Sequence, residues 1–211
     1  KPLIEINHME AHVLANFIDN SPSFPFICLT VSGGHTQIVL VEEIHQIRIL
    51  GETLDDSAGE TFDKCAKMLD LHYPGGPEIQ KVAEKTNKVD SLPRAWMKGT
   101  WDFSFSGLKT ALLHKAQSYH ITPQTSGSEA PSSSGESIIK DLAAAFQVSV
   151  VDVLVTKTLR AARQTGAKGI LLGGGVTANT MLRDQMRDAS KDLPVLVPAP
   201  VLCIDNAAMI A

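Results

Sequence analysis

The sequence contains only three cysteines, Cys28, Cys65 and Cys203, which lie far apart along 211 residues. An odd number at these spacings builds no disulfide framework, and no Cys-x-x-Cys pair is present that would hold a metal. Cys28 lies in an apolar segment, where we expect a small buried side chain. This use of cysteine is typical of a reducing compartment, so we expect a cytoplasmic protein.

Long apolar runs and an excess of positive charge are also missing. Gly, Asp or Pro interrupts each apolar run before the ~20 residues that a bilayer span needs, so we expect no membrane partner. The chain carries 19 Lys and Arg against 23 Asp and Glu, a formal net charge of −4. Any nucleic-acid partner must therefore be attracted by a local patch or by another subunit.

The order of apolar periods predicts an α/β fold. A helix over residues 4–19 precedes a strand hairpin, FPFICLTVSGG with TQIVLVEE, and a third extended segment, HQIRILGET. A helix is predicted from about Ser57, a second helix beyond the YPGGP loop, and a third from about Gly107. Residues 118–137 are polar and rich in Ser, Gly and Pro, and predict an exposed, mobile loop. A long helix then starts near Ser137 and is followed by the strands KGILLGGG and PVLVPAP with a helix between them.

His8 and His12 are the first candidates for chemistry. Four helical residues turn the chain by roughly 400°, so the two imidazoles project from one face. That geometry suits two nitrogen ligands on one metal, although such pairs also occur by chance on packed or exposed surfaces. The zinc-protease helix needs Glu directly after the first His. Here Met9 takes that place, which weakens the hypothesis of a metallopeptidase with Glu10 as its general base.

Two glycine-rich turns follow apolar strands. In TVSGGHT, residues 30–36, Gly33 and Gly34 allow a sharp turn whose amides can approach an anion, although a plain hairpin turn would look the same. In ILLGGGVTAN, residues 170–179, three glycines separate a strand from a helix start, an arrangement that accepts phosphates. Neither segment is a GxGxxG or a GKS/GKT motif, so spacing alone only suggests a nucleotide site.

Acidic residues supply the remaining candidates. Asp55, Asp56, Glu60 and Asp63 open a helix, where the helix dipole favours carboxylates. Asp63 ahead of the flexible YPGGP segment could also hold a sugar hydroxyl. Asp205 precedes an apolar helical run, which is typical of a helix cap, but it could also give two histidines a third metal ligand.

Six segments together, in one order, resemble the TsaD family, also called Gcp or YgjD, of tRNA N6-adenosine threonylcarbamoyltransferases, and resemble its bacterial members most. The segments are HMEAH, TVSGGHTQ, LGETLDDSAGETFDKCAKMLDLHYPGGP, FSFSGLKT, GGGVTAN with a following LR, and DNAAMIA. The likeness covers nearly the whole chain apart from residues 118–137.

The resemblance implies an actin/sugar-kinase/Hsp70-like (ASKHA) fold, with a ligand cleft between two α/β lobes. It implies transfer of a threonylcarbamoyl group from threonylcarbamoyl-AMP to N6 of adenosine 37 in tRNAs that read ANN codons, with AMP leaving. One divalent metal is implied, with iron as the first choice and zinc as the second, which would polarise the acyl-adenylate. The implied partners are tRNA and proteins of the TsaB and TsaE types.

The resemblance also assigns site residues. The metal ligands are His8, His12 and Asp205. The adenylate, or ATP or ADP in its place, is expected to lie along a set of residues from three segments: Thr30, Val31, Ser32, Gly33, Gly34, Asp63, Gly76 and Asn179. No general base is assigned.

One departure concerns the boundaries. The family begins with a strand and turn of the GIETSCDDT type, and nothing like it precedes Lys1. We therefore expect a piece trimmed at both ends, which by itself need not be active. Residues 1–25 would be the metal-bearing helix and linker at the lobe interface, 26–200 the second lobe, and 201–211 the start of a helix returning to the first lobe. Two alternatives remain: the older metallopeptidase label, and a non-catalytic TsaB-like scaffold, which would lack the three metal ligands.

Overall fold

A five-stranded sheet organises the chain in the computed structural model, which describes residues 5–44, 46–121, 133–203 and 206–210. The strand order is β3-β2-β1-β4-β5. The strands are β1 Phe26–Val31, β2 Thr36–Glu43, β3 Gln46–Glu52, β4 Ile170–Gly173 and β5 Val195–Leu196. Strand β2 runs antiparallel to β1 and β3, whereas β4 lies parallel to β1 and β5.

Strand β1 is buried on both faces because it lies at the centre of the sheet. All six of its residues are buried, as expected for a strand that is apolar throughout. Ile27 and Leu29 belong to the larger core cluster, whereas Phe26 and Cys28 belong to a smaller cluster on the opposite face. The sheet is therefore covered on both sides, and Cys28 is buried as predicted.

Eight α-helices and one short 3-10 helix occur in the described part of the chain. They are α1 His8–Leu14, α2 Asn16–Asp19, α3 Ala58–Met68, α4 Gly75–Ala83, α5 Ser106–Ser118, α6 Ser133–Thr165, the 3-10 helix Gly175–Ala178, α7 Thr180–Ser190 and α8 Pro200–Cys203. None of these helices combines the length and the apolar character needed to cross a bilayer, as far as the described ranges extend.

Several boundaries differ from the prediction. The helix predicted over residues 4–19 begins at His8 and is divided at Ala15 into α1 and α2. Helix α6 begins at Ser133 rather than near Ser137, while residues 122–132 of the predicted loop lie outside the described residues. Helix α4 begins at Gly75, inside the segment predicted as a loop, because a distant carboxylate caps its first turn. Residues 206–210 form a turn rather than the predicted continuous helix.

Candidate functional site

A cavity of about 440 Å³ opens at the edge of the sheet where β1 and β4 end. This volume lies within the range of about 300–1,000 Å³ typical of small-ligand sites. The cavity is lined by residues of three loops and the helices that follow them: Gly33, Gly59, Phe62, Asp63, Pro74, Gly76, Pro77, Gln80, Lys81, Glu84, Gly175, Val176, Ala178 and Asn179.

The turn between β1 and β2 forms the first wall. The Ser32 hydroxyl accepts hydrogen bonds from the backbone N–H groups of Gly34, at 3.3 Å, and His35, at 3.1 Å, which fixes the turn. Helix α3 begins directly against it, because the Gly59 N–H donates to the Ser32 carbonyl oxygen at 3.2 Å. A Cβ at Gly59 would lie 2.5 Å from that oxygen, so a larger residue would push the helix away from the turn.

Helices α3 and α4 form the second wall. Asp63 Oδ1 accepts a hydrogen bond from the Gly75 N–H at 2.7 Å, which satisfies one of the amides left without a partner at the start of α4. The two helices touch at this point, since a Cβ at Gly75 would lie 2.6 Å from Asp63 Cα. The next residue, Gly76, presents bare backbone to the cavity.

The glycine run after β4 forms the third wall. Gly174 has a φ of 87°, and a Cβ there would lie 2.4 Å from the Val31 carbonyl oxygen. Asn179 ends the run and caps α7, because its Oδ1 accepts from the Leu182 N–H at 3.0 Å. Its Nδ2 donates to Gln147 Oε1 at 2.8 Å. The side chain of Asn179 therefore holds the wall together as well as lining the cavity.

Helix N-termini and carbon surface together define what the cavity can hold. The first turns of α3, α4 and the 3-10 helix all contribute lining residues, and helix N-termini carry partial positive charge. Phe62, Pro77 and Val176 supply apolar surface beside them. This combination suits a ligand with a flat apolar body and an anionic group, such as a nucleotide.

The structure brings together half of the residues that the resemblance assigned to the adenylate. Gly33, Asp63, Gly76 and Asn179 all line the cavity. The other four do not line it: Thr30 and Val31 are buried in the sheet, Ser32 holds the turn, and Gly34 is exposed beyond the cavity. These placements describe where the residues lie, and their roles remain predictions.

Sequence reasoning missed several lining residues. Gly175 and Val176 fall inside the glycine-rich segment 170–179, of which the resemblance assigns only Asn179 to the adenylate. The glycine-rich motif itself could have indicated that both residues line a ligand site. Gln80 and Lys81 lie on α4, within the EIQKVAEK segment that carried no functional motif, so only the packing of α4 against α3 reveals them.

The two histidines fit a shared metal ion. Their ring centroids lie 4.7 Å apart at an interplanar angle of 78°, on a helix whose start is capped by Asn7. His12 is 2% exposed, whereas His8 faces solvent. Asp205 lies outside the described residues, and within the described ranges no three His, Cys, Asp or Glu side chains cluster for a metal. Imidazole donors suit iron and zinc alike.

Helix α1 is seated at the same edge of the sheet as the cavity. The Asn16 side chain, just beyond α1, donates to the Leu172 carbonyl oxygen at 3.2 Å. A Cβ at Gly173 would lie 3.2 Å from the His12 carbonyl oxygen, so the glycine run contacts α1 on one side and lines the cavity through Gly175. Helix α1 and the cavity therefore share the glycine run that follows β4.

The cysteines contribute no nucleophile to this edge. All three are free thiols with buried side chains. Burial raises the pKa of Cys28 to about 12, with the Thr30 hydroxyl opposing the shift. Burial likewise raises the pKa of Cys65 to about 12. Because the thiolate is the reactive form, neither is activated.

Sequence comparison matches residues 1–211 to the TsaD family, tRNA N6-adenosine threonylcarbamoyltransferase. Curated relatives with that name include proteins of Thermomicrobium roseum, 50% identical over 100% of this chain and 62% of the relative, and of Dehalococcoides mccartyi, 48% identical over 100% of this chain and 60% of the relative. A Bacillus subtilis relative is 45% identical over 100% of this chain and 59% of its own length. The chain thus spans about 60% of these relatives.

Solved structures show the same fold at low sequence identity. Full-length HypF in a phosphate- and nucleotide-bound form aligns with a TM-score of 0.67 at 12% identity, over 95% of this chain and 34% of that chain. The activator of 2-hydroxyisocaproyl-CoA dehydratase from Clostridium difficile, with bound ADPNP, aligns with a TM-score of 0.57 at 13% identity, over 96% of this chain and 65% of that chain. These likenesses confirm the predicted ASKHA fold class. By its match over every residue from 1 to 211, the chain belongs to the TsaD family.

Proposed function

We propose that this chain carries the adenylate cavity and the metal-binding helix of an enzyme that transfers threonylcarbamoyl from threonylcarbamoyl-AMP to N6 of adenosine 37, in tRNAs that read ANN codons. The main support for this proposal is the cavity lined by helix N-termini, in a chain that matches the transferase family over all of its residues. The product would be N6-threonylcarbamoyladenosine, abbreviated t6A. The metallopeptidase and scaffold alternatives gain no support from the family match or from the exposed position of Glu10.

The cavity residues would bind the adenylate. Backbone N–H groups at the starts of α4 and the 3-10 helix would receive the phosphate, since fixed amide dipoles stabilise an anion without reorganisation. Asp63 would accept a hydroxyl of the ribose. Its Oδ1 already takes the Gly75 N–H, which orients the carboxylate, and Oδ2 has no hydrogen-bond partner within the described residues. ATP or ADP would occupy the same place.

His8, His12 and Asp205 would hold one divalent metal, with iron as the first choice and zinc as the alternative. When bound, this metal would supply Lewis-acid polarisation of the acyl-adenylate. The protein's own contribution is to fix the histidine pair beside the glycine run, through the burial of His12 and the bond from Asn16 to Leu172. With the histidine pair fixed in this position, the carbonyl carbon of the threonylcarbamoyl group would stay within reach of the attacking amine of adenosine 37.

We further propose that the enzyme acts in the cytoplasm, where its tRNA substrate is found, together with proteins of the TsaB and TsaE types. The formal net charge of −4 fits shared tRNA binding, because a partner subunit would then supply part of the attraction. We also keep the division into a metal-bearing segment, a second lobe and a returning helix as part of this proposal.

The test is reconstitution with the full-length protein, its partners, isotopically labelled threonine, bicarbonate, ATP and an unmodified tRNA that reads an ANN codon. Nucleoside mass spectrometry should find labelled t6A at position 37, and none in a matched tRNA with guanosine there. An absence of t6A in both tRNAs, with every partner active in its own assay, would refute the proposed function. His8→Ala and Asp205→Ala should each lower the metal content; one metal per chain in both variants would refute the ligand assignment.

A further inference from the structure

A segment without helix or strand runs along the outside of α6 over residues 86–102, and we name it the α6 strap. Side chains join the strap to α6 at successive levels of the helix: Thr86 Oγ1 to Asp141 Oδ1 at 2.7 Å, Arg94 Nη2 to Asp152 Oδ2 at 2.6 Å, and Arg160 Nη2 to the Thr100 carbonyl oxygen at 3.0 Å. The strap is thus fixed along its length although it has no regular structure.

The far end of the strap is a tight turn that presents exposed side chains. Met97 has a φ of 43° and Gly99 a φ of 86°, and the Thr100 N–H donates back to the Met97 carbonyl oxygen at 3.3 Å. Trp96, just before the turn, is 40% exposed, and Lys98 within it faces solvent. The fixed turn thus leaves part of the Trp96 indole accessible to a partner.

Positive charge exceeds negative charge around this turn, where Asp102 is the acidic residue that interacts with Lys157. The stretch from Val153 to Arg183 contains no Asp or Glu, and it includes the exposed Arg160 and Arg163 of α6. Within the described residues, Lys98, Arg160 and Arg163 form no ion pair, whereas Arg94 of the strap is paired with Asp152. The strap end is therefore a local exception to the net negative charge of the chain.

Lys157 lies beneath the same turn, where its Nζ donates to the Thr100 and Asp102 carbonyl oxygens. Burial is the main cause that lowers the pKa of Lys157 to about 8; the Arg160 guanidinium adds to this shift and Asp102 opposes it. Arg160 therefore lies close enough to Lys157 for the two cations to repel each other.

We propose that Trp96, Lys98, Arg160 and Arg163, here called the strap surface, form a contact site for tRNA, an inference that rests on the proposed function. Trp96 stacks on an unpaired base of the tRNA. Unpaired bases in RNA commonly stack on aromatic side chains, and such stacking tolerates any base because every base has a π-face. The three cations neutralise phosphates of the same strand. Charge complementarity decides the occupant: an apolar peptide would leave these three cations without partners.

The test measures tRNA binding by the full-length protein with an unmodified transcript at several salt concentrations. Trp96→Ala should raise the Kd roughly tenfold or more and leave the salt dependence unchanged, because stacking releases no counterions. Lys98→Ala combined with Arg163→Ala should lower the slope of log Kd against log salt by roughly 1.5. Neither of these two cations makes a hydrogen bond within the described residues, so folding should be preserved.

Two matched controls lie elsewhere. Tyr119→Ala removes an aromatic side chain that is 44% exposed and whose hydroxyl donates to Asp90 at 3.4 Å, near the other end of the strap and away from the strap surface. Lys67→Ala removes an exposed cation on α3. Both variants should bind tRNA like the wild type. Wild-type affinity in Trp96→Ala and in the double variant, with t6A formation intact, would overturn the strap surface and leave the proposed function standing. Loss of binding to a partner protein instead of tRNA would identify a protein interface and overturn it too. Absence of t6A in the wild type would instead count against the function.

Discussion

The glycines around the cavity are of two kinds, which differ in what a Cβ atom would contact. At Gly59, Gly75 and Gly174 a Cβ would lie within 2.6 Å of another backbone atom, so glycine is needed for the walls to meet. At Gly33 and Gly76 a Cβ would meet nothing within 4 Å. Because these two residues line the cavity, that empty space is where the ligand would lie. The first kind lets backbone segments meet, and under the proposed function the second kind would leave room for the ligand.

Gly76→Ala should therefore weaken nucleotide binding without weakening the fold. The added methyl group occupies ligand space, and alanine in a helix favours folding by roughly 0.4–1 kcal/mol over glycine. We expect the Kd for ADP to rise about tenfold, equivalent to about 1.4 kcal/mol, measured by isothermal titration calorimetry. Gly107→Ala is the control, since its Cβ also meets nothing within 4 Å but lies on α5 away from the cavity. Equal ADP affinity in the two variants would contradict the placement of the ligand.

Lys157 should make stability depend on alkaline pH. Its folded-state pKa of about 8 lies below the ordinary value of 10.5. Between these values the unfolded chain binds the additional proton, so this group makes the free energy of unfolding increase as the pH rises from 8 towards 10.5. In Lys157→Met that increase should be absent. Denaturant unfolding of both proteins at pH 8 and pH 10 measures the difference, and parallel pH profiles would show that Lys157 titrates normally.

The acidic residues around the start of α3 have partners that the local sequence does not predict. The pattern places Asp55, Asp56, Glu60 and Asp63 together at a helix start, and Glu60 does lie in the first turn of α3. The others also serve neighbouring elements: Asp56 pairs with Lys109 of α5 as well as with Lys64 of α3 itself, and Asp63 caps α4. Spacing predicts which face a residue occupies, but only the tertiary fold decides which helix it stabilises.

Asp55 caps a helix fifty residues further along. Its carboxylate accepts from the Ser104 hydroxyl at 2.6 Å, the Phe105 N–H at 2.8 Å and the Ser106 N–H at 3.4 Å, at the start of α5. Burial alone would raise the pKa of Asp55, but these hydrogen bonds outweigh it and hold the pKa below the ordinary value of 3.8. The contribution to stability is therefore present above that value and is lost as the pH falls through the lower folded-state pKa.

Asp55→Ala should destabilise the protein by about 1 kcal/mol at pH 7, the usual cost of losing a helix cap. Urea unfolding of wild type and variant measures this, and the difference should shrink as the pH falls below 3.8. Asp184→Ala removes an exposed carboxylate on α7 and should change stability little. A variant as stable as the wild type at pH 7 would mean that the cap contributes nothing.

The sheet and most helices of the whole molecule follow from the sequence because their apolar periods are strong. FICLTV and TQIVLVEE predict β1 and β2 as found. The start of α4 does not follow from the sequence, because YPGGP is typical of a loop and only the structure shows that Asp63 accepts the Gly75 N–H. Half of the residues that the resemblance assigns to the adenylate line the cavity. Thr30 and Val31 do not, since both are buried in the sheet. A linear motif cannot distinguish residues that are buried behind a turn from residues that line the cavity.

The chain spans about 60% of the relatives it matches, and this bears on ligand affinity. The residues that line the cavity all fall within 26–200, the range expected to be one lobe, whereas the resemblance implies a cleft between two lobes. We predict that residues 1–211 bind ADP at least tenfold more weakly than the whole Bacillus subtilis relative does, because a single lobe would exclude less water from the phosphate. Calorimetry on both proteins measures this. Equal affinities would mean that the cavity alone is sufficient.

If the proposed function is right, the cavity at the ends of β1 and β4 is the adenylate site of a threonylcarbamoyl transferase. A crystal structure of the full-length protein, grown with a non-hydrolysable analogue of threonylcarbamoyl-AMP, tests it most directly. We expect the ribose to lie against Asp63, and the phosphate within about 3 Å of backbone N–H groups at the start of α4 or of the 3-10 helix. A fully occupied analogue bound elsewhere, with this cavity empty, would contradict it.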